Sequence, residues 1–109
     1  MSPSLVPGTF THDTTVYIVL NDFGNLGAAY VETDEADANE SAVTSKIIVG
    51  EYSKPIRVVA FNTHESWSRD VTEQIAQTIL DLNRRGTSLS PAAIEFVERV
   101  TGESPTVAV

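Results

Sequence analysis

From Pro55 to Leu82 the chain passes from PIRVVAFN, through the polar stretch THESWSR, into DVTEQIAQTILDL. The first run is almost continuously apolar and rich in β-branched residues, which reads as a buried strand. Proline is tolerated at its first position because that residue need not donate to the ladder. The last run places Val71, Ile75, Ile79 and Leu82 on one stripe, with Arg84 and Arg85 before a terminating Gly86, which reads as an amphipathic helix. Asp70 with Glu73 three residues on predicts a variant of the capping box. A buried strand handing over to such a helix calls for two packed layers around one core. The polar stretch between them, residues 62–70, then falls at a rim of the body, where folds often carry sites.

The remaining elements follow the same signals. Residues 14–22, TTVYIVLND, predict a strand buried on both faces. FGNLG then predicts a hairpin bend, and 28–33, AAYVET, a more exposed second strand. In 34–50 the positions Val43, Ile47 and Ile48 keep helical spacing, with acids at the front, Lys46 near the back and Gly50 just past the end, although the early DEADANE also suits a loop. A last helix starts at Ser90 as N-cap with Pro91 at its first position, buries Ile94, Val97 and Val100, and stops at Gly102.

The expected fold is therefore α+β in the order β-β-α-β-α-α. Its sheet has three strands in the order 2-1-3, is mainly antiparallel, and packs against helices. A right-handed crossover brings the third strand parallel to the second. Two helices occupy one face, and the last helix or a second subunit covers the other, where Val16, Ile18 and Leu20 also seek burial. At 109 residues there is room for one core. We expect a flexible N-terminal arm at 1–13, a single α+β domain at 14–102 and a C-terminal tail at 103–109.

Composition excludes several function classes. The chain has no cysteine, which removes disulfide frameworks, thiolate catalysis and cysteine-built metal sites. Its net charge of -8 repels phosphate backbones, so no nucleic-acid partner is expected. No apolar run approaches the roughly 20 residues of a membrane span, and the N-terminal thirteen residues lack the pattern of an export signal. A cytoplasmic location without membrane association is the expectation. The first fifty residues hold seven acids and one base, an asymmetry suited to docking a partner protein with a basic surface.

Candidate site residues concentrate in 62–70. His64 could act as a general base, with Glu65, Ser66 and Ser68 nearby. No GxSxG elbow, HExxH or other fixed spacing brings them together, and Thr63, Ser66, Ser68 and Asp70 are equally the residues of turns and caps. Trp67 and Arg69 form a possible recognition pair, both types being enriched at binding hot spots. Their structural alternative is a tryptophan plugging the core edge and an arginine pairing with Glu73 one turn along.

Elsewhere, Glu32, Asp34, Glu35, Asp37 and Glu40 lack calcium-loop spacing and read as a solvated helix start, so no metal site is expected. Gly24 to Gly27 could cradle a phosphate, but a hairpin bend accounts for it. His12, in a proline-flanked arm, receives no role. No cofactor is expected.

The run VVAFNTHESWSRDVTEQIA, with the upstream VYIVLNDFGNLGAAYVETD, resembles a family of small uncharacterised alphaproteobacterial proteins. The resemblance spans Val16 to Val100. It implies one compact bacterial domain and carries over no site residues.

The expected function is a small acidic interaction or regulatory module without catalytic activity, with homodimer formation through any exposed sheet face or edge. The alternative is a small-molecule binding protein or enzyme using His64, Trp67 and Arg69.

Overall fold

A computed structural model of the chain describes residues 15–31 and 34–106. The N-terminal arm expected at 1–13 and the last three residues lie outside them. Four strands, β1 (Val16–Asp22), β2 (Ala28–Val31), β3 (Pro55–Asn62) and β4 (Trp67–Asp70), form one sheet. Three helices, α1 (Glu40–Val49), α2 (Thr72–Arg84) and α3 (Pro91–Thr101), complete the described fold.

The sheet runs β2-β1-β3-β4 with every neighbouring pair antiparallel. The expected 2-1-3 order is present, and the expectation of three strands is corrected to four. Residues 67–70 look like a connection in the sequence because no Asn-Gly or Gly-rich turn precedes them. Instead Ser66 adopts φ 60°, a left-handed conformation that costs a non-glycine residue roughly 1–2 kcal/mol. The Asn62 side chain helps to hold the turn by accepting the Glu65 N–H at 2.9 Å.

Helix ends follow local chemistry. α1 begins later than the acid run suggests, because Asn39 supplies the cap, its Oδ1 accepting the Ala42 N–H at 2.8 Å. The acids before it form a short 3-10 turn, Glu35–Asp37. Gly50 (φ 85°) and Gly102 (φ 77°) close α1 and α3 in the left-handed conformation, and Ser90 caps α3 ahead of Pro91, all as expected. The capping box at α2 is corrected: Val71 holds the N-cap position without a side-chain bond, and Asp70 accepts from the N–H and hydroxyl of Thr72, not through Glu73.

The core lies on one face of the sheet. Val19, Val58 and Ala60 meet Val43 and Ile47 of α1, Ile75, Ala76, Ile79 and Leu80 of α2, and Ala93, Phe96 and Val97 of α3. All three helices thus serve the same face. Phe96, which the sequence analysis does not single out, is fully buried at the centre of α3's inner stripe, while Ile94 and Val100 are only half-buried.

Of the two covers expected for the second face of β1, the last helix or a second subunit, α3 is ruled out, because it packs with the core on the first face. The period-two pleat puts Val16, Ile18 and Leu20 opposite Val19, and on β3 it puts Val59 and Phe61 opposite Val58 and Ala60. These outward residues are half-buried and lie outside the core cluster.

One core position is imperfect. Thr44 is buried in α1, and its Oγ1 has no hydrogen-bond partner among the described residues. Thr44→Val keeps the shape and removes the unpaired hydroxyl. It is expected to stabilise the chain by about 1 kcal/mol, read as a higher urea midpoint at unchanged slope.

Part of the expected C-terminal tail is docked. The buried Asn83 side chain donates to the carbonyls of Thr87 (3.1 Å) and Thr106 (2.9 Å) and accepts the Thr106 N–H (2.7 Å). Pro105 is buried beside it, and Arg84 pairs with Glu103.

Candidate functional site

The β3–β4 hairpin carries all three sequence-predicted site residues, but the pleat divides its side chains. β4 pairs with β3 in the register Asn62–Trp67, Phe61–Ser68, Ala60–Arg69 and Val59–Asp70. Trp67 and Arg69 therefore share the helix-covered side with Ala60, whereas Ser68 and Asp70 share the outer side with Val59 and Phe61. A strand so short cannot bring Ser68 onto the side of Trp67 and Arg69.

Trp67 is half-buried and packs against the core cluster. Its indole N–H donates to Glu65 Oε1 at 2.9 Å. The Arg69 guanidinium stacks over the indole, 5.1 Å from its centroid, a contact worth roughly 0.5–1 kcal/mol at an exposed site. Trp67 and Arg69 are thus brought together, and much of what either would offer a ligand is already engaged within the hairpin. Arg69 stacks on Trp67 in place of the expected pairing with Glu73. His64 is exposed in the connecting turn.

The structure adds partners that sequence reasoning missed. Tyr17 stands in the same cross-strand row as Ala60 and Arg69. Burial pushes its phenol above the ordinary value, Glu40 adds to the rise, and Arg69 opposes it. Glu40 in turn accepts from Gln74 Nε2 at 3.1 Å, linking the first turns of α1 and α2. The inward alternation of Tyr17 with Val19 is the available signal; that Glu40 and Arg69 flank it depends on tertiary packing.

On the outer side, Asp70 faces Arg57, Oδ2 to Nε 3.5 Å. Burial raises the Asp70 carboxyl, but bonds from the Thr72 hydroxyl and N–H, together with Arg57, outweigh it and hold the group below its ordinary value. Asp70 is therefore charged at neutral pH and neutralises Arg57 at the margin of the outer face.

A cleft lies elsewhere. The pairing of β1 with β3 is irregular between Leu20 and Asn21. Asn21 is 1% exposed, accepts the Lys54 N–H at 2.8 Å and donates to Ser53 Oγ at 3.1 Å. The connection it pins borders an open cleft of about 340 Å³, lined also by Phe23, Val31, Lys46, Glu51 and Tyr52. None of these residues stands out in the sequence as a site residue by type or spacing, and none of them belongs to the hairpin.

Among the described residues, no group of three or more His, Asp or Glu is placed to hold a metal ion, and no helix is long and apolar enough to cross a membrane. No protein-family model, curated protein or solved structure matches this chain.

Proposed function

We propose that this chain is a small non-catalytic interaction module of the bacterial cytoplasm, and that its contact surface is the outer face of the sheet together with the margin of the β3–β4 hairpin. One observation carries this reading. Val16, Ile18, Leu20, Val59 and Phe61 form a contiguous apolar block, half-buried and outside the core that the three described helices share. Apolar blocks of that kind on a folded body mark interaction surfaces, whereas singly scattered apolar residues need no explanation. The alternative, a small-molecule site at His64, Trp67 and Arg69, has less in its favour, because the indole is engaged by the Arg69 guanidinium on its face and by Glu65 at its N–H.

If Ile18 serves contact and not the core, a charge there is compatible with folding. Ile18→Lys should therefore shift the unfolding free energy by about 1 kcal/mol or less in dilute solution, against the roughly 2–5 kcal/mol typical of truncating a core isoleucine. Affinity capture from native cell extract should lose its specific partners with this variant. Unfolding of Ile18→Lys, or capture indifferent to it, would remove the reading.

A further inference from the structure

We infer that the partner fitted to this face is a second copy of the chain, packed sheet on sheet about a two-fold axis as a weak, reversible dimer. This rests on the interaction reading above and adds the identity of the partner.

The chemistry of the face comes first. Across β1 and β3 the outward pairs are Val16 with Phe61, Ile18 with Val59 and Leu20 with Arg57. Tyr30, opposite Leu20 on β2, extends the block and is 46% exposed. Arg57 is paired with Asp70 across the margin. Asp22, outward at the end of β1, accepts the Gly24 N–H of its own turn, so the centre of the face asks for no countercharge. A basic partner surface suited to the chain's acidic excess would bury its cations against valine, isoleucine and leucine, at a desolvation cost with no ion pair in return. The occupant that fits is apolar at its centre and neutral at its edge, and the same face of another copy meets that description.

Shape agrees. A twisted sheet accepts either helices or another sheet, and two sheets of matching twist pack about 10 Å apart with their strands at roughly −30°. The helices of this chain are committed to the other side. A second copy presents identical twist, and an apolar patch meeting itself makes an isologous contact that closes at two subunits.

Area sets the strength. Strands of seven, four, eight and four residues, about 4.8 Å apart and rising about 3.3 Å per residue, give a flat footprint of about 360 Å². That is less than half of the roughly 800 Å² per partner of a standard specific interface. A contact of this size belongs with weak, reversible associations. Because the core cluster lies on the opposite face, each copy keeps its fold when the pair separates.

Net charge gives the association a sign. Two chains at -8 repel each other at long range, so added salt should tighten a self-contact made of apolar surface. Docking on a basic partner would show the opposite dependence.

The test is sedimentation equilibrium on the full chain from about 1 to 300 µM, a range suited to weak, reversible pairs, at low and at high salt. The average mass should rise toward twice that of the chain, and at lower concentration in high salt. Ile18→Lys sets a lysine against its own symmetry mate and should weaken association at least ~100-fold with far-UV circular dichroism unchanged; Val59→Lys repeats the test on the neighbouring strand. Leu26→Ser, at a position 90% exposed on the β1–β2 turn, should associate as the parent does.

A parent chain monomeric throughout, a dimer that salt weakens, or one indifferent to both lysines would each overturn the second copy as partner. If the parent is monomeric while capture from extract still depends on Ile18, the interaction module survives with another apolar partner. If neither depends on Ile18, both fall.

Discussion

Phe96→Ala is expected to cost about 3–5 kcal/mol of unfolding free energy, a large share of the roughly 5–15 kcal/mol that a domain of this size possesses. Phe96 is 0% exposed and is the largest fully buried side chain among the described residues. It is the centre of the stripe by which α3 meets the other two helices and the sheet. Losing the ring leaves a cavity that three separate elements would have to close together, and rigid neighbours close such gaps only in part. A second loss comes with it. The Arg99 guanidinium lies 5.7 Å from the Phe96 centroid while donating to the Pro55 carbonyl at the start of β3. Without the ring that arginine loses its seat, and with it a tie between α3 and the sheet. Thermal unfolding should show a midpoint lowered by about 15–25 °C. Phe96→Leu, which keeps most of the volume, should recover more than half of the loss. A midpoint within a few degrees of the parent for Phe96→Ala would mean that α3 does not anchor the core.

Asn83→Ala is expected to cost about 2–3 kcal/mol, through a different mechanism. The side chain makes three hydrogen bonds from a buried position, two to Thr106 and one to Thr87. Net, each such bond is worth about 1 kcal/mol, and a buried group left unpaired costs more. The loss should be local in its first expression. Amide exchange at Thr106, whose N–H is held by Asn83 Oδ1, should lose its protection, and the segment carrying Pro105 should become open to proteolysis. Asn83→Asp keeps that acceptor while removing both donors, so it should retain part of the Thr106 protection and lose the tie to Thr87. Unchanged exchange at Thr106 in Asn83→Ala would show that Pro105 and the Arg84–Glu103 pair hold the segment by themselves.

How far the fold can be read from the chain depends on whether a signal is local. Ser90, Pro91, Gly50 and Gly102 act on their own helix ends, and each is assignable from neighbours in the chain. The strand at Pro55–Asn62 and the helix after it are equally plain, since their periodicities are carried by side chains within one turn or one pleat. β4 is not legible: four residues are too few for an alternation to stand out, and the turn before it uses Ser66 where a glycine would have announced it. The side on which α3 packs is also beyond local reading, because nothing in Pro91–Thr101 says which layer its stripe of Ala93, Phe96 and Val97 will meet.

The candidate site divides in the same way. That 62–70 sits at a rim, with Trp67 against the core, can be argued from the strand before it and the helix after it. The clamp of Glu65 on the indole and the stacking of Arg69 require the hairpin. Asn21 shows the limit most clearly. At the end of an apolar strand it reads as a turn residue, yet its burial arises from Ser53 and Lys54, in a connection far along the chain. The outward block of Val16, Ile18, Leu20, Val59 and Phe61 is half visible: the outward alternation is clear, and that none of the three described helices receives it is a property of the assembled fold.

Gly50 combines a left-handed backbone with crowding, since a methyl group built there would stand 3.1 Å from both Cβ and Oγ of Ser90, whose N–H donates to the Ile48 carbonyl. The exit of one helix and the entrance of another are in this way keyed into a single joint, which fixes where α3 begins relative to the end of α1. By contrast, a methyl group at Gly24 or Gly27 would meet nothing within 4 Å. Descendants of this architecture have room to gain residues at that bend, and an engineer seeking a position for a fluorescent insert would choose it for the same reason.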